Sequence, residues 1–206
     1  MGKKVAIFDI ESVLLDAEFL PLLAKRVGKW KFVHDITLKG IRGEIKWEEG
    51  LRQRIEALKG VKQEVVAEAA DSMPFMKGAR ELCSELKRRG YILIAVTGGF
   101  TIFAERVKRE LGFDYLFANQ LVFNDGELAG IKPLKVKSDS VDGLEELLMK
   151  LKVKKDDVVA VVDGANDMKL FRYAGVRIAF NAQPIVKEVG NVIVDEKDLT
   201  KILEYF

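Results

Sequence analysis

The chain has 206 residues, which suits one domain of ordinary size with room for an inserted unit. Apolar residues make up 49 %, enough for a real core, and 34 basic against 32 acidic residues leave a formal net charge of +2. So even a balance gives no field that would draw in nucleic acid or a membrane surface. No apolar run approaches the roughly 20 residues that span a bilayer.

The first residues, MGKKVAIFDIE, put acids where a signal peptide needs an apolar run, so no export signal is expected. Cys83 is the only cysteine, which excludes an intrachain disulfide and fits a reducing cytoplasm.

KVAIFD (4–9) is nearly continuous in apolar residues, as a strand covered on both faces is. It ends in Asp9, and Glu11 follows two residues later. Residues 16–76 contain no convincing strand but several amphipathic stretches, such as EFLPLLAKRVG and WEEGLRQRIEALKG, and predict a helical insert. ARELCSELKRRG (79–90) places Leu82, Cys83 and Leu86 on one face and stops on Lys, Arg, Arg, Gly, a good helix end. A strand, YILIAVT (91–97), runs into Thr97-Gly98-Gly99, and TIFAERVKRELG (101–112) reads as the next helix. LVFNDGELAG (121–130) carries Asp125-Gly126, a strong hairpin turn. GLEELLMKLKV (143–153) is helical, and VVAVVD (158–163) is a buried strand that opens into Asp163-Gly164-Ala165-Asn166-Asp167. A helix over 167–175 and strands VRIAF (176–180) and NVIV (191–194) complete the alternation. The pattern predicts an α/β fold: a Rossmann-like parallel sheet with helices on both faces, plus a small β-hairpin. It divides into a core of residues 1–15 and 77–206 and a helical cap of residues 16–76.

Ligands on open parallel sheets bind beyond the carboxyl ends of the strands. Three of these strand ends carry unusual chemistry. Asp9, Asp163 and Asp167 offer hard oxygens suited to Mg2+, which also relieves the repulsion among them. Thr97 and the two glycines offer a hydroxyl and close backbone N–H groups, a cradle for phosphate. A carboxylate can attack phosphorus to form an aspartyl-phosphate, and a second acid can protonate the leaving oxygen and then activate water. Singly, each feature is an ordinary turn or helix cap; three on one sheet are harder to read that way.

FDIESVLLDAE, TGGF and VVAVVDGANDM together resemble the haloacid dehalogenase superfamily of phosphatases, and within it the phosphoserine phosphatase group. The resemblance covers nearly the whole chain, down to AGVRIAFNAQPIVKE and DLTKILEYF. It implies Asp9 as nucleophile and Glu11 as general acid/base with its main-chain carbonyl on the metal. It implies Asp163 as a direct Mg2+ ligand, Asp167 as holder of the metal's shell, Thr97 and Gly98 as the phosphoryl grip, and Asn166 in the same pocket. Residues 16–76 would close over the substrate and exclude water. The implied partner is a small phosphorylated metabolite. Glu18 would hold an ammonium and Arg54 a carboxylate, with Trp47 at an aromatic position of the group; an acid suits the one charge and a guanidinium fork the other.

Three positions depart from that pattern. Glu11 stands where aspartate is usual; its extra methylene moves the carboxyl by roughly 1 Å, and such misplacement costs on the order of 100-fold in rate. Asp142 stands where a lysine is expected to neutralise nucleophile and phosphate, with Lys135 and Lys137 just upstream as possible substitutes. Val162 replaces a glycine before Asp163 and would stiffen the strand end. These departures leave two rivals open: a protein that holds phosphate ligands without turnover, and a phosphoryl transferase. A basic side chain within reach of Asp9 favours catalysis, and acids alone favour the binder. His34 and Cys83 read as structural residues.

Overall fold

In the computed structural model, residues 3–41 and 44–206 are described. The strands are β1 (Lys4–Asp9), β2 (Tyr91–Phe100), β3 (Tyr115–Asn119), β4 (Leu121–Asn124), β5 (Glu127–Ile131), β6 (Val158–Val162), β7 (Val176–Phe180) and β8 (Val192–Val194). Six of them form one sheet in the order β3-β2-β1-β6-β7-β8, every neighbouring pair parallel. β1 lies in the middle; the chain adds β2 and β3 on one side, then β6, β7 and β8 on the other. That reversal makes a crevice at the carboxyl ends of β1 and β6, the place where open α/β sheets bind ligands.

The strands read as apolar runs because both faces are covered. Phe8, Ala95 and Val161 point into one core, and Ile7, Val96 and Val162 into the other. The period of two thus sends alternate residues to opposite layers. Burying each large aliphatic or aromatic side chain stabilises the fold by roughly 1.5–3 kcal/mol. Val162 is buried in the second core, the one that also holds Leu170 and Phe171.

Between β1 and β2 lie α1 (Phe19–Arg26), α2 (Trp30–Ile41), α3 (Trp47–Leu58) and α4 (Gln63–Asp71). The two ends of this insert run side by side. Asp16 N–H donates to the Pro74 carbonyl and Met76 N–H to the Leu14 carbonyl, both at 2.9 Å. The other helices are α5 (Ala79–Arg88), α6 (Thr101–Leu111), α7 (Leu144–Leu151) and α8 (Pro184–Val189). The β4–β5 hairpin turns at Asp125 (φ 49°) and Gly126 (φ 77°), the left-handed pair that its Asp-Gly turn requires. It reaches up to the insert, where Gly60 N–H meets the Leu128 carbonyl at 2.9 Å.

Three details differ from the pattern read in the sequence. β2 continues past Val96 through Gly98 and Gly99 to Phe100, with a register shift against β3. β3 is an added edge strand. Residues 165–173 wind as a 3-10 helix rather than an α-helix, beginning with Asp167 N–H on the Gly164 carbonyl.

Candidate active site

Asp9 ends β1, Thr97 lies near the carboxyl end of β2 and Asp163 follows β6; the three strands are adjacent, so the sheet itself brings the motifs together. They line a cleft of about 650 Å³ with Glu11, Glu18, Arg54, Gly98, Asn166 and Asp167. The acids, Arg54, the Thr97–Gly98 pair and Asn166 named from the sequence therefore line one cavity. Asp9 and Asp167 are buried, 4 % and 3 % exposed.

The charges in this cleft are crowded. Burial pushes the Asp9 carboxyl well above its usual range, and the charges of Asp167 and Asp163 push it further. Asp163 is raised to about 7, chiefly by burial and then by Glu18 and Asp167, while a hydrogen bond with Asp9 pulls the other way. Asp167 is raised by burial against the opposing pull of Lys169. Glu11 is pushed up to about 8 by burial and by Glu18, with the Phe19 N–H and Arg54 opposing. A carboxyl poised there is protonated near neutrality and can give a proton before it takes one.

The turn after β1 fixes Glu11 and Glu18. Val13, Leu14 and Leu15 N–H groups all converge on the Ile10 carbonyl, and Ser12 sits at φ 59°, a left-handed conformation costly for serine. Ser12 Oγ donates to Glu18 at 2.6 Å, and Glu11 Oε1 accepts the Phe19 N–H at 2.7 Å at the start of α1. The length of Glu11 is thus used: its carboxylate reaches a helix N-terminus, where negative charge is favoured. Arg54 comes from α3 on the far side of the cleft. Burial lowers its pKa, and Glu11 and Glu18 act to raise it.

The end of β2 after Val96, past its register shift, is held from three directions. Gly99 N–H donates to Thr97 Oγ1 at 2.9 Å. Asn119, buried at the end of β3, donates to the Gly98 and Val136 carbonyls and accepts from Lys135 and Val136 N–H, all at 2.9–3.0 Å. Both glycines are required by close approach. A β-carbon on Gly98 would lie 2.5 Å from the Trp47 ring, and one on Gly99 would lie 2.5 Å from Phe103 Cζ and against Glu11. Trp47 thus lies over this strand end from the helical insert. Its neighbour Glu48 accepts both Ser138 N–H (2.8 Å) and Ser138 Oγ–H (2.7 Å), tying α3 to the segment after Asn119's partners.

Neither lysine upstream of position 142 is among the residues lining the cleft. Lys135 is exposed, and Lys137 turns to Asp142 at 3.5 Å. Asp142 is itself exposed and is not among the residues lining the cleft. The residue that sequence reasoning missed is Lys169. It is buried, with Nζ 3.1 Å from Asp167 Oδ1 and 2.6 Å from the Asn166 carbonyl. Its signal was its setting, a lysine between Met168 and Leu170-Phe171 just after the Asp163–Asp167 loop. Read as an α-helix, that segment gave no reason to turn the lysine inward. Asn119 and Gln183, whose side chain accepts the Ala165 N–H at 3.3 Å, were also missed. His34 stacks on Trp30 in α2 and Cys83 is packed in α5, both away from the cleft.

Comparison with known proteins agrees with this geometry. A family model for haloacid dehalogenase-like hydrolases matches residues 3–175. A phosphoserine phosphatase of Methanocaldococcus jannaschii is 38 % identical over 205 residues, covering 98 % of this chain and 97 % of that one. One of Wolinella succinogenes is 35 % identical and covers 98 % of this chain and 99 % of that one. Among solved structures, a substrate-bound phosphoserine phosphatase complex superimposes with a TM-score of 0.93 at 36 % identity, over 100 % of this chain and 99 % of that one. A phospho-aspartyl intermediate analogue of phosphoserine phosphatase gives 0.92, also at 36 %, over 100 % of both chains. With the motifs, the strand order and the cleft all in agreement, the chain belongs to the haloacid dehalogenase-like hydrolases.

Proposed function

We propose that the chain is a phosphoric monoester hydrolase acting on phosphoserine or a closely similar small phosphomonoester, with Asp9 as nucleophile. The observation that carries this reading is the convergence of Asp9, the Thr97–Gly99 segment and the Asp163–Asp167 loop over three adjacent strand ends. The names of the relatives and structural neighbours support the substrate class.

The donor set fits Mg2+. Asp9, Asp163 and Asp167 present hard oxygens whose ionisation is opposed by burial, and Asp9 and Asp163 are also raised by neighbouring negative charge, the condition that a bound divalent cation relieves. Among the described residues no group of three acids closes round a point as a ready-made cluster. Mg2+ takes one or two protein carboxylates and completes its shell with waters and substrate oxygens. Asp9, Asp163 and the Glu11 main-chain carbonyl would hold it, with Asp167 on its shell. When bound it would screen the charge of the phosphoryl oxygens.

Thr97 Oγ and the Gly98 backbone would grip the phosphoryl group, with Asn166 beside them. The Asp9 carboxylate would attack phosphorus while Glu11 gives its proton to the departing serine oxygen. Glu11 would then take a proton from the water that cleaves the aspartyl-phosphate. Glu18 and Arg54 both line the cleft with opposite charge, as an ammonium and a carboxylate of one small substrate require. The insert of residues 16–76 would act as the cap. Its paired ends form a narrow neck, and Trp47 and Glu48 reach down to the core. A reducing cytoplasm fits the single buried cysteine, and among the described residues no helix is long and apolar enough to cross a membrane.

The test is phosphate release with Mg2+ from a panel that includes phosphoserine and an aryl phosphate, run beside Asp9→Asn. Turnover confined to the wild type, with phosphoserine preferred, supports the proposal. Phosphoserine that stabilises the wild type but is never cleaved favours the binding protein.

A further inference from the structure

Lys169 presents a physical problem. Among the described residues it is the one lysine or arginine that is buried, with its side chain 3 % exposed. A buried ammonium is costly unless charge and hydrogen bonds compensate it. Its compensation is Asp167, 4 % exposed in its side chain, and the Asn166 carbonyl. Asn166 Nδ2 donates to the other oxygen of the same carboxylate, so Asp167 is clamped from both sides. Lys169 lies on the 3-10 helix packed against β6, β2 and α8, and is itself outside the lining of the cleft to which Asp167 belongs.

The cleft needs such a cation. Asp9, Glu11, Glu18, Asp163 and Asp167 all line it, and the cations that line it, Lys46 and Arg54, both come from the insert. A phosphomonoester brings further negative charge to Asp9. The position where the resemblance puts a lysine holds Asp142, exposed and paired to Lys137, which cannot serve.

We propose that Lys169 is the positioning cation of this site, fixing Asp167 as an inward-facing carboxylate and supplying the compensating charge that position 142 lacks. Its effect on the reacting atoms passes through Asp167. The inference rests on the proposed phosphatase reading and adds to it a residue outside the motifs. It also accounts for how an acid at 142 is compatible with a working site: the cation comes from the opposite flank of the Asp163–Asp167 loop.

Charge and hydrogen bonding are separated by two substitutions. Lys169→Arg keeps the charge, and Lys169→Gln keeps donors but not the charge. With Mg2+ present, Lys169→Gln is expected to lower kcat about 100-fold and to weaken binding of inorganic phosphate about tenfold by calorimetry. Lys169→Arg is expected to stay within about tenfold of wild type in kcat. Thermal melts establish that both variants are folded. Lys169→Gln matching the wild type in kcat and phosphate binding would overturn the proposal and leave Lys169 as a structural tie for the Asn166 carbonyl. Loss of function in Lys169→Arg equal to that in Lys169→Gln would overturn it too, since charge would then be irrelevant. Wild type that binds phosphate but cleaves no ester would sink the phosphatase reading instead, and the phosphate-binding comparison would still decide the role of Lys169.

Discussion

The carboxylates at the sheet's carboxyl edge and those on the outer face of α5 and the C-terminal segment have the same chemistry and opposite fates. Outside, Glu85 accepts from Arg88 and Arg89 at 2.6–2.8 Å, and these bonds draw it down to about 2. Asp198 is held well below its usual range by Lys77 and by Thr200. Inside, Asp9 and Asp163 lie beside further acids and are driven up, first by burial. The outer acids are matched to partners the chain itself supplies. The inner ones are under-matched, with Lys169 and Arg54 as partial answers, and so are built to receive something positive. An unrelieved cluster of like charge is a marker of function because folding alone would select against it.

The largest test of this contrast removes one inner acid. Asp9→Asn is expected to abolish phosphate release, by about 10⁴-fold or more as loss of a covalent nucleophile does. In metal-free buffer the same change is expected to raise the melting temperature, because a buried, repelled carboxylate is replaced by a neutral amide. An inner acid whose removal lowers both stability and activity would be a structural residue like those outside.

Next in size is the packing that holds the inner acids in place. Gly99→Ala puts a methyl group against Glu11 and Phe103, and a displacement of about 1 Å is expected to cost about 100-fold in kcat. Glu11→Asp carries a sharper question. On the sequence alone the extra methylene reads as a handicap. In the structure that methylene carries the carboxylate to the Phe19 N–H at 2.7 Å. Shortening it is therefore expected to lower kcat about tenfold and stability by about 1 kcal/mol, the scale of a lost helix cap. An aspartate variant as fast as the wild type would restore the earlier view.

Much of this was legible in the chain, and the reasons are specific. β1 and β7 match the sequence reading residue for residue because runs such as KVAIFD and VRIAF are apolar on both faces and end in sharp polar signals. Asp9, Thr97 and Asp163 could be placed together because strand ends of a parallel sheet share one edge. What was hidden depends on contacts between segments distant in sequence, or on winding. YLFAN is too short and too exposed at its start to announce β3. Asn119 is one asparagine until the fold brings the Gly98 carbonyl and residues 135–136 to it. Lys169 looks like a surface lysine until the 3-10 turn buries it.

Glu48 stands between the two classes, exposed enough to meet water yet bonded to Ser138 across the cleft. Burial acts to raise it, and the two Ser138 bonds outweigh that and lower it. Glu48→Ala is expected to loosen the insert from the core and raise KM roughly fivefold, about 1 kcal/mol for a partly solvated charged bond, with a smaller change in kcat. Steady-state kinetics on phosphoserine would measure the split; a pure kcat effect would place Glu48 with the catalytic acids instead.

The smallest effect belongs to the outer group. Because Glu85 has a folded pKa of about 2 against an ordinary 4.5, its pairing with Arg88 and Arg89 stabilises the fold above pH 4.5. That contribution fades as pH falls through the interval towards about 2. Solvent screening keeps it small, since all three side chains meet water and surface pairs contribute little. Glu85→Gln is therefore expected to melt slightly below the wild type at neutral pH, with the gap closing in acid. Salt would shrink the gap as well. The inner acids have the opposite sign: in metal-free buffer their raised pKa values destabilise the ionised fold, so acidification relieves it as their protons return. A wild-type melting curve in which mild acidification raises stability without metal, and loses that gain with Mg2+ added, would separate the two groups in one titration; no metal-dependent difference would mean that the inner acids are no better a cation site than the outer ones.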